Sequence, residues 1–225
     1  MDLSVILILL TGLALGLAHS FDPDHVVAVS TLLCNNKSLR KSIVSATVWG
    51  VGHSAVLFLA GVLLLILRVA IPENVVNMFV LAAGVMLVVL GAFVIKPFIL
   101  DRVRTSGLLA QTERLPPQNQ NMTNSEKVHT HIHKSAFAGV LQGLGGSAAL
   151  MLVTLTTVSS VMTGLAFILI FGAGVILGMI GISYVVGSII AYTASNLEKV
   201  HKIIKAVTGS ASIIVGIVII VYALV

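Results

Sequence analysis

Long apolar stretches follow one another along this chain of 225 residues and constrain its fold more than any other feature. Each is long enough to cross the hydrocarbon core of a bilayer, which takes about 20 apolar residues in a helix. The pattern therefore predicts an all-α, polytopic membrane protein with six transmembrane helices. We place these helices at residues 3–33, 43–70, 74–99, 136–158, 163–193 and 203–225.

The composition agrees with a membrane protein and excludes several other classes. Hydrophobic residues make up 57% of the chain and charged residues 9%, whereas soluble domains carry about 25% charged residues. The formal net charge of +5 is spread between the apolar stretches rather than gathered in a patch, so we expect no nucleic-acid partner. The single cysteine, Cys34, excludes an intramolecular disulfide and a dithiol redox pair.

The basic residues predict the orientation in the membrane. Twelve of the 13 Lys and Arg residues lie in the first, third and fifth connections, and only Arg68 lies at the other end of the helices. By the positive-inside rule, these three connections face the cytoplasm and both termini lie outside the cytoplasmic membrane. Because Met1-Asp2 carries no positive charge, we expect the first apolar stretch to be a retained span rather than a cleaved signal peptide.

A weak internal repeat divides the six spans into two halves. The third and sixth spans each carry two glycines seven residues apart, Gly84 with Gly91 and Gly209 with Gly216. GLAHSFDPDH in the first span corresponds to GVLQGLGGSA in the fourth, and the second and fifth spans each contain a Gly-x-Gly. Units of three spans have opposite orientations, so the pattern predicts an inverted 3+3 repeat, an architecture typical of transporters. Close helix packing alone is the alternative explanation for the glycines. The predicted units are residues 1–100, a cytoplasmic loop at 101–134, and residues 135–225.

Four ionisable residues lie within the first span, in the run LAHSFDPDH: His19, Asp22, Asp24 and His25. Each costs about 2.5–3.5 kcal/mol at that depth on insertion scales, which favours a functional site. Imidazoles and carboxylates are ligands for divalent transition metals. The second span adds His53, and a nitrogen-rich set of this kind suits Ni²⁺ or Co²⁺ better than Mg²⁺ or Ca²⁺.

Pro23 is expected to break the first helix. On a regular helix, His19, Asp22 and His25 fall within about 120° of one another, and Asp24 points away. Proline cannot donate a hydrogen bond to the carbonyl four residues earlier and clashes with it, so the helix kinks or unwinds there. We expect the break to turn Asp24 inward and to leave the His19 carbonyl free as a further ligand. Asp22 has a second candidate role, as a partner that orients an imidazole.

Other interpretations of these residues stay open at this stage. A proton relay through Asp and His residues is the main alternative to a metal site, and His53 taken alone fits a helix–helix hydrogen-bond partner. In the fourth span, polar side chains are candidates for lining a path opposite the motif, or they bond to their own helix. They include Gln142, Ser147 and Thr154.

Three histidines precede the fourth span in the long cytoplasmic loop: His129, His131 and His133. Alternate residues share a face only in an extended chain, so we predict a flexible chelating arm that receives or gathers metal ions. A solvated polar loop is the alternative.

The motif HSFDPDH resembles the His-x4-Asp-His signature of the nickel/cobalt transporter family at His19, Asp24 and His25. Gly52-His53-Ser54 is similar to that family's second signature. The resemblance covers essentially the whole chain, with the match concentrated in the first two spans. It implies a Ni²⁺ or Co²⁺ permease whose signature His and Asp residues are needed for transport. Larger members have eight spans and acidic residues in the second half, so the chain looks more like a short branch that includes urease-accessory-like proteins and metal exporters.

The sequence favours a transporter over an enzyme. No Gly-x-x-x-x-Gly-Lys-Ser/Thr motif is present, so any ATP drive would need a partner protein. We expect secondary transport of Ni²⁺ or Co²⁺ as substrate, with import preferred, and no resident cofactor; the partners are the metal ion and the bilayer. The alternatives are metal efflux, export of small anions or amino acids, and a membrane accessory role in metalloenzyme maturation. An oligomer or an accessory subunit stays open.

Overall fold

The computed structural model describes residues 3–34, 38–67, 72–105, 124–145 and 160–225. Over these residues the chain is all-helical, as predicted. In a bilayer the backbone N–H and C=O groups must bond to one another, and a helix satisfies them within one segment. We number the helices α1 Leu3–His19, α2 Pro23–Leu33, α3 Leu39–Leu65, α4 Glu73–Thr105, α5 Asn124–Gly145, α6 Val161–Asn196 and α7 Glu198–Leu224.

Helices α3, α4, α6 and α7 are each long and apolar enough to cross a bilayer. Helices α1 and α2 meet at a bend of 54°, and counted together as one broken helix they are a fifth candidate span. The protein is thus a multi-pass membrane protein. The predicted fourth span, residues 136–158, begins on α5 and continues beyond the described residues, so the number of six spans stays a prediction.

The break between α1 and α2 follows from Pro23, which occupies the first turn of α2. A proline restricts the residue before it to extended backbone, and Asp22 has φ −57° and ψ 142°. The helix therefore stops at His19 and restarts at Pro23. Our expectation of a free His19 carbonyl is wrong, because this oxygen accepts a hydrogen bond from the Asp22 N–H at 3.0 Å.

Small residues bring the helices into close contact. A Cβ atom on Gly84 would lie 2.9 Å from the Gly216 carbonyl oxygen, and one on Gly91 would lie 2.5 Å from that of Gly209. The two pairs run in opposite directions along α4 and α7, so these helices are antiparallel. Nearby, the Ser212 hydroxyl donates to the Leu87 carbonyl oxygen at 2.8 Å.

Two further sets of contacts occur twice, once with each half of the chain supplying the glycine. Gly16 of α1 packs on the backbone of Phe171 in α6, while Gly139 of α5 packs on the backbone of Trp49 in α3. Between α3 and α6, the contacts are Gly50 with Ile176 and Gly172 with Ser54. Gly139 follows Gly16 by 123 positions in the chain, and Phe171 follows Trp49 by 122. Gly172 follows Gly50, and Ile176 follows Ser54, by 122 positions as well.

The histidine arm differs from the expected conformation. Helix α5 starts at Asn124, so His129, His131 and His133 have helical backbone. Successive residues in a helix are rotated by about 100°, which separates alternate positions by about 200°. The prediction of an extended chain presenting all three on one face is therefore wrong, although His129 and His133 are one turn apart.

Candidate metal site

Three buried imidazoles converge at the break in the first span. His19, His25 and His53 each offer a ring nitrogen, and these three atoms lie within 4.8 Å of one another. The ring centroids are 4.7 Å apart for His19 and His25, 5.4 Å for His19 and His53, and 5.1 Å for His25 and His53. Exposed fractions of 3%, 1% and 0% show that the cluster is closed off by protein.

Each imidazole comes from a different helix. His19 is the last residue of α1, His25 lies in the first turn of α2, and His53 lies near the middle of α3. The bend between α1 and α2 lets two residues six positions apart face the same point. Gly52 lets α3 approach α5, because a Cβ atom there would lie 2.8 Å from the Ala136 carbonyl oxygen.

The two carboxylates contact the imidazoles. Asp22 Oδ2 lies 2.6 Å from His19 Nδ1, and Asp24 Oδ1 lies 3.1 Å from His25 Nδ1. Their side chains are 47% and 22% exposed, so the acids lie around the cluster while the imidazoles form its centre. In metal sites, a carboxylate on one ring nitrogen fixes the tautomer and makes the other nitrogen a better ligand.

The donor set fits a nitrogen-preferring divalent ion. With Nδ1 facing a carboxylate, His19 and His25 would present Nε2 to an ion; His25 Nε2 is buried and has no hydrogen-bond partner within the described parts of the chain. Imidazole ligands suit Ni²⁺, Co²⁺, Cu²⁺ and Zn²⁺, whereas Mg²⁺ and Ca²⁺ prefer oxygen. The arrangement can therefore bind a transition-metal ion with three nitrogens and hold the rings with two acids.

Trp49 forms one wall of the site. Its ring stacks on His25 at a centroid distance of 6.4 Å and an interplanar angle of 18°, and it is only 1% exposed. Trp49 was not among the site residues predicted from the sequence. The available signal was its position one helical turn before His53, which puts both residues on the same face of α3.

Gln142 of α5 reaches the same region. Its Nε2 lies 3.4 Å from both the Asp24 carbonyl oxygen and Asp24 Oδ2. The predicted path-lining residue thus contacts the motif, which spacing alone could not reveal. The other two candidates, Ser147 and Thr154, lie outside the described residues.

A cavity of about 560 Å³ adjoins Asp24 and Gln142. It lies between α4 and α7, and apolar side chains such as Val80, Ala83 and Val218 make up most of its wall. Val218 is 61% exposed, so the cavity opens to the surface of the protein.

Comparison with known proteins identifies the family. The chain is 31% identical to urease accessory protein UreH of Bacillus sp. (strain TB-90) over 214 residues, which cover 93% of this chain and 89% of UreH. UreH is a member of the nickel/cobalt transporter family. The chain belongs to the nickel/cobalt transporter family.

Other relatives of this nickel/cobalt transporter family member cover nearly the same residues. "Putative nickel/cobalt efflux system MJ1092" of Methanocaldococcus jannaschii is 24% identical, with 92% of this chain and 89% of that protein covered. Chloroplast protein FOR GROWTH AND FERTILITY 2 of Arabidopsis thaliana is 26% identical over 91% of this chain, which spans 52% of that longer protein. No family model matches, and no solved structure does.

Proposed function

We propose that the protein is a secondary transporter that moves Ni²⁺ or Co²⁺ across the cytoplasmic membrane, with import preferred. The ion binds to His19, His25 and His53, and Asp22 and Asp24 complete the site. This proposal refines the family assignment by naming the substrate, the direction and the residues. It treats the protein as a permease and not as an enzyme.

The convergence of three buried imidazoles carries the proposal. Three histidines from three helices, with donor atoms within 4.8 Å of one another, are far more costly in a membrane than apolar packing would be. A bound dication repays that cost because imidazole nitrogens bind it directly. The Methanocaldococcus relative, which is named for nickel and cobalt, points to the same class of ion.

Import follows from the energy available to a chain without its own ATPase motif. The membrane potential contributes about 2.3 kcal/mol per charge per 100 mV, hence about 4.6 kcal/mol for a dication moving inward. Export against this potential needs coupling, for which protons displaced from His and Asp ligands are the natural source, because metal and protons compete for the same atoms.

The exchanged contacts between helices support an inverted 3+3 repeat. If residue 16 corresponds to 139 and residue 49 to 171, the contact of Gly16 with Phe171 maps onto the contact of Gly139 with Trp49. The contacts of Gly84 with Gly216 and of Gly91 with Gly209 exchange in the same way. A two-fold axis in the membrane plane produces such pairs, and transporters with this symmetry bind their substrates near the midplane. The basic connections favour both termini outside.

Metal efflux is the second candidate function. The Methanocaldococcus relative, named as an efflux system, favours it, and the site itself binds an ion in either direction. The name of the Bacillus relative adds a third candidate, an accessory role in metalloenzyme maturation.

Flux measurements with the purified full chain in proteoliposomes test the proposal. With a metal-sensitive dye inside, Ni²⁺ or Co²⁺ added outside should enter faster than in protein-free vesicles, and an inside-negative potential should accelerate entry. Vesicles with a fixed, determined orientation separate import from efflux. Tight metal binding with no flux under any gradient would instead favour the accessory role.

A further inference from the structure

A buried amide and a carboxylate lie side by side where the cavity approaches the histidines. Gln142 is 1% exposed, and its Nε2 contacts two oxygens of Asp24 at 3.4 Å each. Both residues belong to the cavity wall. We propose that Gln142 and Asp24 form a gate between the cavity and the three imidazoles, and that Gln142 sets how fast ions pass.

The position of the Asp24 carboxylate supports this role. Its Oδ1 lies 3.1 Å from His25 Nδ1, while its Oδ2 faces Gln142. One side chain thus contacts the histidine cluster with one oxygen and the amide of α5 with the other. An ion that leaves the cavity for His25 encounters this carboxylate first.

The amide orientation of Gln142 follows from its two contacts. Because both neighbouring atoms of Asp24 are acceptors, Nε2 must face them and Oε1 must point elsewhere. Oε1 is buried and has no hydrogen-bond partner in the described part of the structure. The amide is therefore held through Nε2, by its contacts with Asp24.

The rest of the cavity favours a single polar stopping point. Its wall combines Asp24 and Gln142 with aliphatic side chains from α4 and α7 and with Tyr222 near the end of α7. Apolar walls repel an ion unless polar groups replace part of its hydration shell. The Asp24 carboxylate offers an anionic oxygen at the inner end, and the Gln142 amide contacts that carboxylate.

The gate predicts a change in rate without a matching change in affinity. In this gate the amide separates from the carboxylate while the ion passes and contacts it again afterwards. Loss of the amide then removes the cost of that separation and lowers the barrier without favouring either state. In Gln142→Leu, both association and dissociation of Ni²⁺ should become faster by about fivefold, the worth of one buried hydrogen bond, while Kd changes much less. This inference rests on the proposed metal site.

Stopped-flow fluorescence with purified full-length protein and NiCl2 tests the gate. Trp49 is the only tryptophan in the chain, and its ring lies 6.4 Å from that of His25, so a paramagnetic ion at the cluster should quench it. Gln142→Met serves as a second variant of similar volume. Ser212→Ala is the matched control, because it removes one buried hydrogen bond between α4 and α7 and should leave the kinetics of quenching unchanged.

The outcomes separate the gate from the site. A weaker Kd with unchanged association in both Gln142 variants would mean that Gln142 only supports the histidines, and unchanged kinetics would mean that it does not control passage. Either result overturns the gate but leaves the proposed site intact. If wild-type protein shows no quenching and no metal binding by calorimetry, the site itself fails.

Chemical labelling of the cavity provides a second test. In a Cys34→Ser background, Val218→Cys places a thiol on the cavity wall. A water-soluble, membrane-impermeant thiol reagent should label it from one side of oriented vesicles, since an ion path must contain water. Failure to label, with normal labelling in detergent-unfolded protein, would show that lipid fills the cavity and would overturn its role as the approach to the gate.

Discussion

His19, His25 and His53 are the residues on which metal binding should depend most directly. Their nitrogens approach one another from three helices, and the two acids contact the rings from outside the cluster. Single substitutions can therefore distinguish residues that bind the ion from residues that orient the rings.

Replacing His19, His25 or His53 with alanine should weaken Ni²⁺ binding by about tenfold or more, because each change removes one nitrogen donor from a buried ion. Quenching of Trp49 fluorescence measures the affinity, with calorimetry as an independent check. His201→Ala is the matched control, since His201 lies near the start of α7, where it contacts Thr193 at 3.4 Å. Wild-type affinity in all three variants would remove the metal site from the proposal.

Asp24 offers a sharper test of how the carboxylates act. If Asp24 orients His25, Asp24→Leu should weaken metal binding by about 10- to 100-fold, the usual effect of losing such a partner. Asp24→Asn keeps an oxygen that accepts from His25 Nδ1 and should retain most of the affinity. An equally large loss in both variants, measured by Ni²⁺ titration, would instead identify Asp24 as a direct ligand.

Among the helices, the broken first span decides the geometry of the site. Pro23 holds Asp22 in extended backbone, and this allows α1 and α2 to meet at 54°. Without the bend, His19 and His25 would stay on one continuous helix, about 9 Å apart along its axis at a rise of about 1.5 Å per residue.

Pro23→Ala should weaken Ni²⁺ binding and slow transport although no ligand is removed. Alanine allows residue 22 to become helical, so the span tends to straighten and its two imidazoles move apart. Affinity by titration and flux in proteoliposomes measure the effect, with the thermal stability of the variant as a control for folding. Normal affinity and flux would show that the packing around the break, and not the proline, maintains the bend.

Much of this local geometry was predictable because it depends on neighbouring residues. Pro23 predicts the break, and the helical spacing of His19 and His25 places them on the same side of the first span. The contact of Gln142 with Asp24 depends on packing between residues 118 positions apart, for which a single sequence carries no signal. The prediction of a free His19 carbonyl was wrong because the turn supplies a hydrogen-bond donor of its own, the Asp22 N–H.

Across the whole molecule, glycines determine how closely the helices approach. Gly91→Ala should destabilise the protein, because its Cβ would lie 2.5 Å from the Gly209 carbonyl oxygen and backbone must shift. Gly181→Ala is the matched control: among the described residues, no atom beyond the backbone of its own helix lies within 4 Å of the added Cβ, and alanine favours a helix by about 1 kcal/mol. Thermal unfolding in detergent should show a loss for the first and no loss for the second. Equal effects would show that the α4–α7 contact contributes little to stability.

The α5 histidines are a candidate second metal-binding region that supplies ions to, or receives them from, the buried histidine cluster. Replacing His129, His131 and His133 together should alter the rate of flux or the concentration at which it saturates, while one tight site per chain remains. The reason is that a single pair one turn apart binds an ion more weakly than three buried imidazoles with two acids around them. The number of bound ions per chain, measured by calorimetry, tests this prediction. Loss of all binding would mean that the α5 histidines bind metal more tightly than the first span, and would favour a proton pathway there.

The antiparallel contact between α4 and α7 also bears on how such a chain can change over evolutionary time. Positions at which two backbones touch accept almost nothing larger than glycine, whatever ion the protein carries. The ligands lie elsewhere, on α1, α2 and α3, so the donor atoms can be exchanged without disturbing that contact. A lineage could therefore acquire a new metal preference by a few substitutions near the helix break while its glycines stay fixed. The metal preference would then change much faster among relatives than the helix packing.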